Sequence, residues 1–229
     1  MVKALSFQSR NEQVYDHVRA MIISGQLEPG SRLVVDRLAL ELGVSHIPIR
    51  EALSQLEADG FVEKTAYVGA SVTDLKADAI EELFELLAAL ETISAKAAGK
   101  RMGEAALSDL GALVVRMDAH TGDPDLWSAE NKRLHEFICE QAGTPFIKKT
   151  LHLALDHWDR LRNIYLKEVS AGRIELAQKE HHDLLDALKA RDETRLEQVI
   201  RSHNQKSLNA YLDYLREKGS LTLPKEVSC

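Results

Sequence analysis

The chain has 229 residues, 45% of them hydrophobic and 28% charged, with a formal net charge of −7. That length can hold two compact domains with cores of their own, and the negative balance excludes a non-specific nucleic-acid binder, which would be basic. There is no run of 18 apolar residues, no signal-peptide pattern, and no partner near either Cys139 or Cys229, so the sequence predicts a cytoplasmic protein with neither a membrane span nor a disulfide frame.

In chain order, Val14, Val18, Met21 and Ile22 mark a first amphipathic helix that ends near Gly25, and Pro29-Gly30 marks a turn. From Leu33 the pattern reads as a short helix with Leu38, Ala39 and Leu42 on one face. Gly43 supplies a residue tolerant of positive φ where that helix stops. Ser45 is the expected cap of a second helix, with Pro48 in its first turn and Ile49, Ala52, Leu53 and Leu56 on its buried face. Two short helices joined by a tight turn place the second one in a DNA major groove. Asp59-Gly60 ends that helix, and the β-prone runs 61–64 and 70–73, with Gly69 in the turn between them, predict a hairpin wing. Residues 1–75 therefore read as a winged helix-turn-helix.

Charge constrains how such a domain meets DNA. Seven cations face ten carboxylates within residues 1–75, so binding must use a local basic face, which Arg32, Arg37, Arg50 and Lys64 can supply. Few cations on a short helix favour a homodimer on a two-fold related site. Leu83, Leu86, Leu87 and Leu90 are candidates to bury part of that interface, or simply to form core.

Beyond Asp74 the period-2 signal vanishes. Helices are predicted near 77–101, 105–120, 124–142, 146–169, 174–190 and 193–217, broken at Gly103, Gly122, Gly143 and Gly172, with a loose tail from Gly219. Asp123, before Pro124, and Asp192 read as caps. The fold class is mainly α: the winged domain, then an all-α bundle of about six helices over residues 76–229.

The bundle's chemistry rests on its histidines. Asn131 and His135 are spaced i, i+4 and share a helix face. His181 and His203 each lie 11 residues from Asp192, so an antiparallel hairpin of the last two helices brings both rings to one height. Three histidines and an oxygen donor on three helices suit zinc, with nickel or manganese as alternatives. With nine histidines in the chain, one such pair also arises by chance as surface or satisfied core residues. His120, His152, His157 and His182 show no such convergence. A metalloenzyme could use the same rings, but there is no His-Glu-x-x-His pattern, and Glu180, next to His181, is expected to point elsewhere on its helix.

Leu38-Ala39, Gly43-Val44-Ser45, Pro48-Ile49-Arg50-Glu51-Ala52-Leu53, Leu56 and Asp59-Gly60-Phe61-Val62 closely resemble the N-terminal domain of GntR-family transcription regulators. The resemblance implies that Ser45, His46, Ile47 and Arg50 meet operator DNA, with the wing around Gly69 beside them. The chain has His46 and, at the wing tip, Tyr67-Val68 where that family usually has Arg. The stretch from Asn131 to His135, Glu180-His181 with the residues up to Asp192, and His203 resemble the ligand-binding FCD domain of the family's FadR branch. This implies a divalent metal on Asn131, His135, His181 and His203, with Asn131 standing where Asp is commoner. It also implies a small carboxylate effector. Relatives often carry an effector-binding Arg where this chain has Leu87, leaving Arg160, Arg162 and Tyr165 as candidates to hold the acid. The expected function is a ligand-responsive repressor rather than an enzyme.

Overall fold

The computed structural model describes residues 9–65, 69–74, 76–165 and 167–217. The expectations for Tyr67-Val68 and for the tail from Gly219 lie outside them, as does the side chain of Tyr165. The chain divides into two compact units, Met1–Leu75 and Lys76–Cys229.

In the first unit the order is α1 (Arg10–Ile23), β1 (Arg32–Leu33), α2 (Val35–Leu42), α3 (His46–Ala58), β2 (Val62–Thr65) and β3 (Gly69–Val72). Val14, Val18 and Ile22 of α1 bury one face, and Ile49, Ala52, Leu53 and Leu56 of α3 bury another. Burying each such aliphatic side chain contributes about 1.5–3 kcal/mol, which is what holds α3 to the rest of the unit. Tyr15 adds a hydroxyl bond of 2.7 Å to Asp59 at the foot of α3. Gly43 closes α2 at φ +64, and Gly60 follows α3 at φ +80. Both are left-handed positions, where a side chain would be strained.

Three expectations need correction in detail. Leu33 belongs not to a helix but to β1, whose two residues pair with Ser71 and Ala70. The sheet is therefore three-stranded, in the order β1-β3-β2, rather than a bare hairpin. A two-residue strand carries no pattern of its own and exists because β3 offers it a free edge. Ser45 does sit at the N-cap of α3 in extended conformation, but its hydroxyl makes no capping bond.

The second unit consists of α4 (Ala77–Arg101), α5 (Glu104–Ala119), α6 (Pro124–Ala142), α7 (Pro145–Tyr165), α8 (Lys167–Ala190) and α9 (Glu193–Glu217). Helix α4 is the centre, packing against α6, α7, α8 and α9. Its Leu83 and Leu87 are buried within their own chain, whereas Leu86 is exposed, so only part of the suggested dimer face is open. The core gathers Ala95, Ala98, Leu110, Val114, Met117, Leu134, Ile138, Leu184, Leu188 and Ile200. Asp123 caps α6 by accepting from the backbone of Asp125 and Leu126, and Asp192 caps α9 by accepting from Arg195 N.

Gly172 does not break a helix, because α8 runs through it. An interior glycine costs roughly 1 kcal/mol, which the burial of Ile174 and Ala177 in the core outweighs. The α8–α9 turn instead uses Arg191, a non-glycine residue at φ 52. Its guanidinium donates to the carbonyls of Gly99 and Met102, each at 3.1 Å, at the carboxyl end of α4. Those bonds hold a conformation that is otherwise unfavourable for a side chain, and with it the register of the α8–α9 hairpin.

Candidate functional site

In the first unit, Ser45, His46, Ile47 and Arg50 lie exposed along the N-terminal half of α3. Ile47 is 68% exposed, an apolar side chain with nothing of its own unit to cover it. Arg32, Arg50, Lys64 and Gly69 line one concave surface formed by β1, α3 and the two wing strands. The cations differ in their engagement. Arg37 is held by Glu41 at 2.7 Å, and Lys64 by Glu57 at 2.6 Å and Ser54 at 2.9 Å. Arg50 makes no hydrogen bond or ion pair among the described residues, so its planar fork is available for phosphate or a guanine edge. His46 lies 3.3 Å from Asp36 on α2, an anion that disfavours phosphate at that point.

In the second unit the α8–α9 hairpin brings His181 and His203 within 5.1 Å, ring centre to ring centre. His135 of α6 lies 5.7 Å from the first and 5.9 Å from the second. One nitrogen from each ring falls within 4.8 Å of the others. Tetrahedral zinc with Zn–N bonds of about 2.0–2.1 Å separates its ligand atoms by roughly 3.4 Å, so the rings stand within small rotations of that arrangement.

Carboxylates orient two of these rings. Glu91 of α4 contacts His135 Nδ1 at 3.1 Å, and Glu180 of α8 contacts His203 Nδ1 at 2.7 Å. A carboxylate on Nδ1 places the proton there and leaves Nε2 with its lone pair free to ligate. Glu91 also accepts from Asn204 at 2.8 Å, and Glu180 from Arg173 at 2.8 Å and Lys206 at 3.0 Å. Burial opposes ionisation of Glu180, but the bond to His203, with those from Lys206 and Arg173, holds it below the usual carboxylate range. Glu180 thus points at the site, contrary to the sequence expectation, because α9 packs on the face of α8 that carries it.

His181 is 1% exposed and stacks on Trp127 at 5.5 Å, and neither of its nitrogens has a hydrogen-bond partner among the described residues. Asn131 Oδ1 is likewise buried without a partner. Burial, with the neighbouring His203 and His135, drives the imidazole of His181 well below its ordinary range, and burial also lowers His135. Neutral rings and an unengaged amide oxygen are the donor set that a borderline-soft divalent cation takes. The residues therefore fit the metal that the sequence suggested. His120, His152 and His182 instead pair singly with Glu130, Glu136 and Asp118.

A chamber opens beside these rings, lined by Phe84, Leu87, Leu155, Trp158 and Tyr211 on its apolar side and by Asn131, His135, His203, Arg173 and Asn204 on its polar side. Its cavity volume is about 40 Å³. Neither Arg160 nor Arg162 lines it. Arg160 is fully buried on α7, and Arg162 reaches Asp125 at 3.3 Å and Asp159 at 3.9 Å. The cation on the wall is Arg173, which the sequence reading missed. The i, i+7 spacing of Arg173 and Glu180, flanking Ala177 on one face of α8, was the available signal.

Comparison with known proteins accords with both halves. The family described as "Bacterial regulatory proteins, gntR family" matches residues 10–72, and the FCD domain matches residues 82–206. The uncharacterized HTH-type transcriptional regulator YdhC of Bacillus subtilis is 26% identical over 212 residues, covering 90% of this chain and 92% of its own. The HTH-type transcriptional repressor GlaR of Escherichia coli is 25% identical, covering 82% and 90%. Among solved structures, E. coli McbR/YncC superposes with a TM-score of 0.75 at 20% identity over 91% of this chain and all of the other. A GntR transcriptional regulator of Rhodococcus sp. RHA1 gives 0.72 at 21% identity over 90% and 99%. These structural likenesses show a shared fold. Among the described residues, no helix is long and apolar enough to cross a membrane.

Proposed function

Since the chain belongs to the GntR family of bacterial regulatory proteins and carries its winged helix-turn-helix and an FCD domain, we propose that it is a ligand-responsive repressor of the family's FadR branch. It works in the cytoplasm as a homodimer. Residues 1–75 bind operator DNA and residues 76–229 bind a divalent metal, zinc in the first instance, and a small carboxylate. The observation that carries the metal reading is the convergence of His135, His181 and His203 with buried polar atoms, His181 Nδ1 and Nε2 and Asn131 Oδ1, that have no partner among the described residues.

The DNA half works through a small number of engaged groups. Arg50 approaches a phosphate or a guanine, Ile47 offers apolar contact to a thymine methyl, and Arg32 and Lys64 bracket the groove from the sheet. A surface with so few cations holds DNA weakly at one half-site, which makes dimeric binding to a two-fold related operator the effective mode.

In the bundle, His135, His181 and His203 supply three neutral nitrogens and Asn131 a neutral oxygen, with Glu91 and Glu180 fixing two of the rings. A divalent cation there would act as a Lewis acid toward a carboxylate oxygen. Phe84, Leu155, Trp158 and Tyr211 exclude water around the acid's apolar part. Both carboxylates near the rings are occupied on Nδ1 atoms, so they orient ligands rather than stand free as general bases. The acid alters DNA affinity only to the extent that it binds the DNA-competent and DNA-incompetent states unequally.

Selection from a random DNA pool with the zinc-loaded full chain, repeated with added organic acids, tests this. Enrichment of a two-fold related site that an acid weakens supports the reading. Failure to enrich any site overturns it.

A further inference from the structure

We propose that Arg173 is the anion-binding residue of the chamber, and that the chamber is built for a small monocarboxylate rather than a dicarboxylate. This rests on the carboxylate reading above and assigns its charge recognition to one side chain. Among the described residues that line the chamber, Arg173 is the cation and Glu91 the anion. The side chain of Arg173 is only 11% exposed, and it is anchored through Nη2, which donates to Glu180 Oε2 at 2.8 Å and to the backbone carbonyl of His203 at 3.0 Å. Nη1 is buried and has no hydrogen-bond partner among the described residues. A guanidinium fixed on one side, with its other amino group sealed from water and unsatisfied, is costly unless an acceptor arrives. A carboxylate in the chamber is that acceptor. The anchoring also holds the planar fork in one orientation, so little rotamer freedom is lost on binding.

Charge selects the acid. Among the groups enclosed with the site, a divalent cation and Arg173 contribute three positive charges, against one each on Glu91 and Glu180; Lys206, which also meets Glu180, is 59% exposed and its charge is screened by water. One carboxylate brings the buried assembly to neutrality, whereas a second leaves an uncompensated negative charge in a site walled by Phe84, Leu155, Trp158 and Tyr211.

The test uses zinc-loaded full chain, calorimetric titration with propionate, benzoate and succinate, and metal analysis of each protein. Wild type is expected to bind a monocarboxylate and to reject succinate. Arg173→Met should weaken the monocarboxylate roughly tenfold or more at unchanged metal content, while Lys148→Met, a remote exposed pair with Glu140, leaves binding as it was. Should Arg173→Met not fold, Arg173→Lys decides, because it keeps the charge and loses the fork. Weaker binding at full metal content supports the assignment, and unchanged binding overturns it. Loss of metal in Arg173→Met also overturns it, since the residue then acts by holding His203. Succinate binding as tightly as the monocarboxylates removes the charge selection. If wild type binds none of the three acids, the carboxylate reading itself falls. If wild type binds and Arg173→Met binds equally, only the present inference falls.

Discussion

Replacing His181 with Leu should stabilise the metal-free protein and abolish most of the stability that metal adds. In metal-free protein, His181 buries two unpartnered ring nitrogens at 1% exposure, and each such group costs about 1–3 kcal/mol. Leu removes both and has a similar volume. The change forfeits the stack on Trp127, worth about 0.5–1.5 kcal/mol. The net expectation in chelator is a variant more stable than wild type by about 0.5–5.5 kcal/mol. With zinc at a hundredfold excess over its dissociation constant, wild type gains about 2.7 kcal/mol, because the ion binds only the folded arrangement. The variant, one ligand short, should gain little. At roughly 2–4 °C per kcal/mol for a chain of this size, zinc should raise the wild-type midpoint by about 5–11 °C and leave the variant nearly unmoved. Thermal unfolding in zinc and in EDTA reads this directly. A variant destabilised by the same amount in both conditions would refute the reasoning and make His181 an ordinary core residue.

Arg50→Ala should cost about 1–3 kcal/mol of operator affinity, roughly 5- to 150-fold, with the fold intact; unchanged affinity in an electrophoretic shift would remove Arg50 from the reading surface. His46→Arg should change the selected DNA sequence more than stability, and an identical site recovered by both proteins from a random pool would show that residue 46 does not read bases. Asn131→Asp should tighten the metal by adding a charged ligand and weaken monocarboxylates by lowering the site's positive charge, so the two affinities measured by calorimetry must move in opposite directions. Because burial depresses the ring of His181 in the folded state, the unfolded chain takes up a proton that the folded one refuses. Metal-free protein should therefore lose stability as pH falls through the unfolded imidazole range near 6.5, and a flat urea midpoint across that range would contradict it.

What could be read from the sequence depended on spacing. Gly43, Asp123 and Asp192 announced their turns because the left-handed stop and the caps are local chemistry. The convergence of His181 and His203 was legible because a tight turn brings positions 11 residues to either side of Asp192 to one height, and that of Asn131 and His135 because i, i+4 is one helix face. What remained hidden depended on tertiary partners. The strand at Leu33 exists through its pairing with β3. Helix α8 survives Gly172 through the burial of Ile174 and Ala177. The orienting role of Glu91 follows from α4 crossing α6, and that of Glu180 from α9 lying on α8. Arg173 was missed for the same reason: its partners, Glu180 and the His203 carbonyl, are seven and thirty residues away.

Metal stoichiometry tests the account's central claim most directly. Elemental analysis of the purified full chain, beside a variant with His135, His181 and His203 all replaced by Ala, is predicted to find one divalent transition metal per wild-type chain and none in the variant. Equal metal in both proteins, or none in wild type after incubation with zinc and desalting, would contradict it.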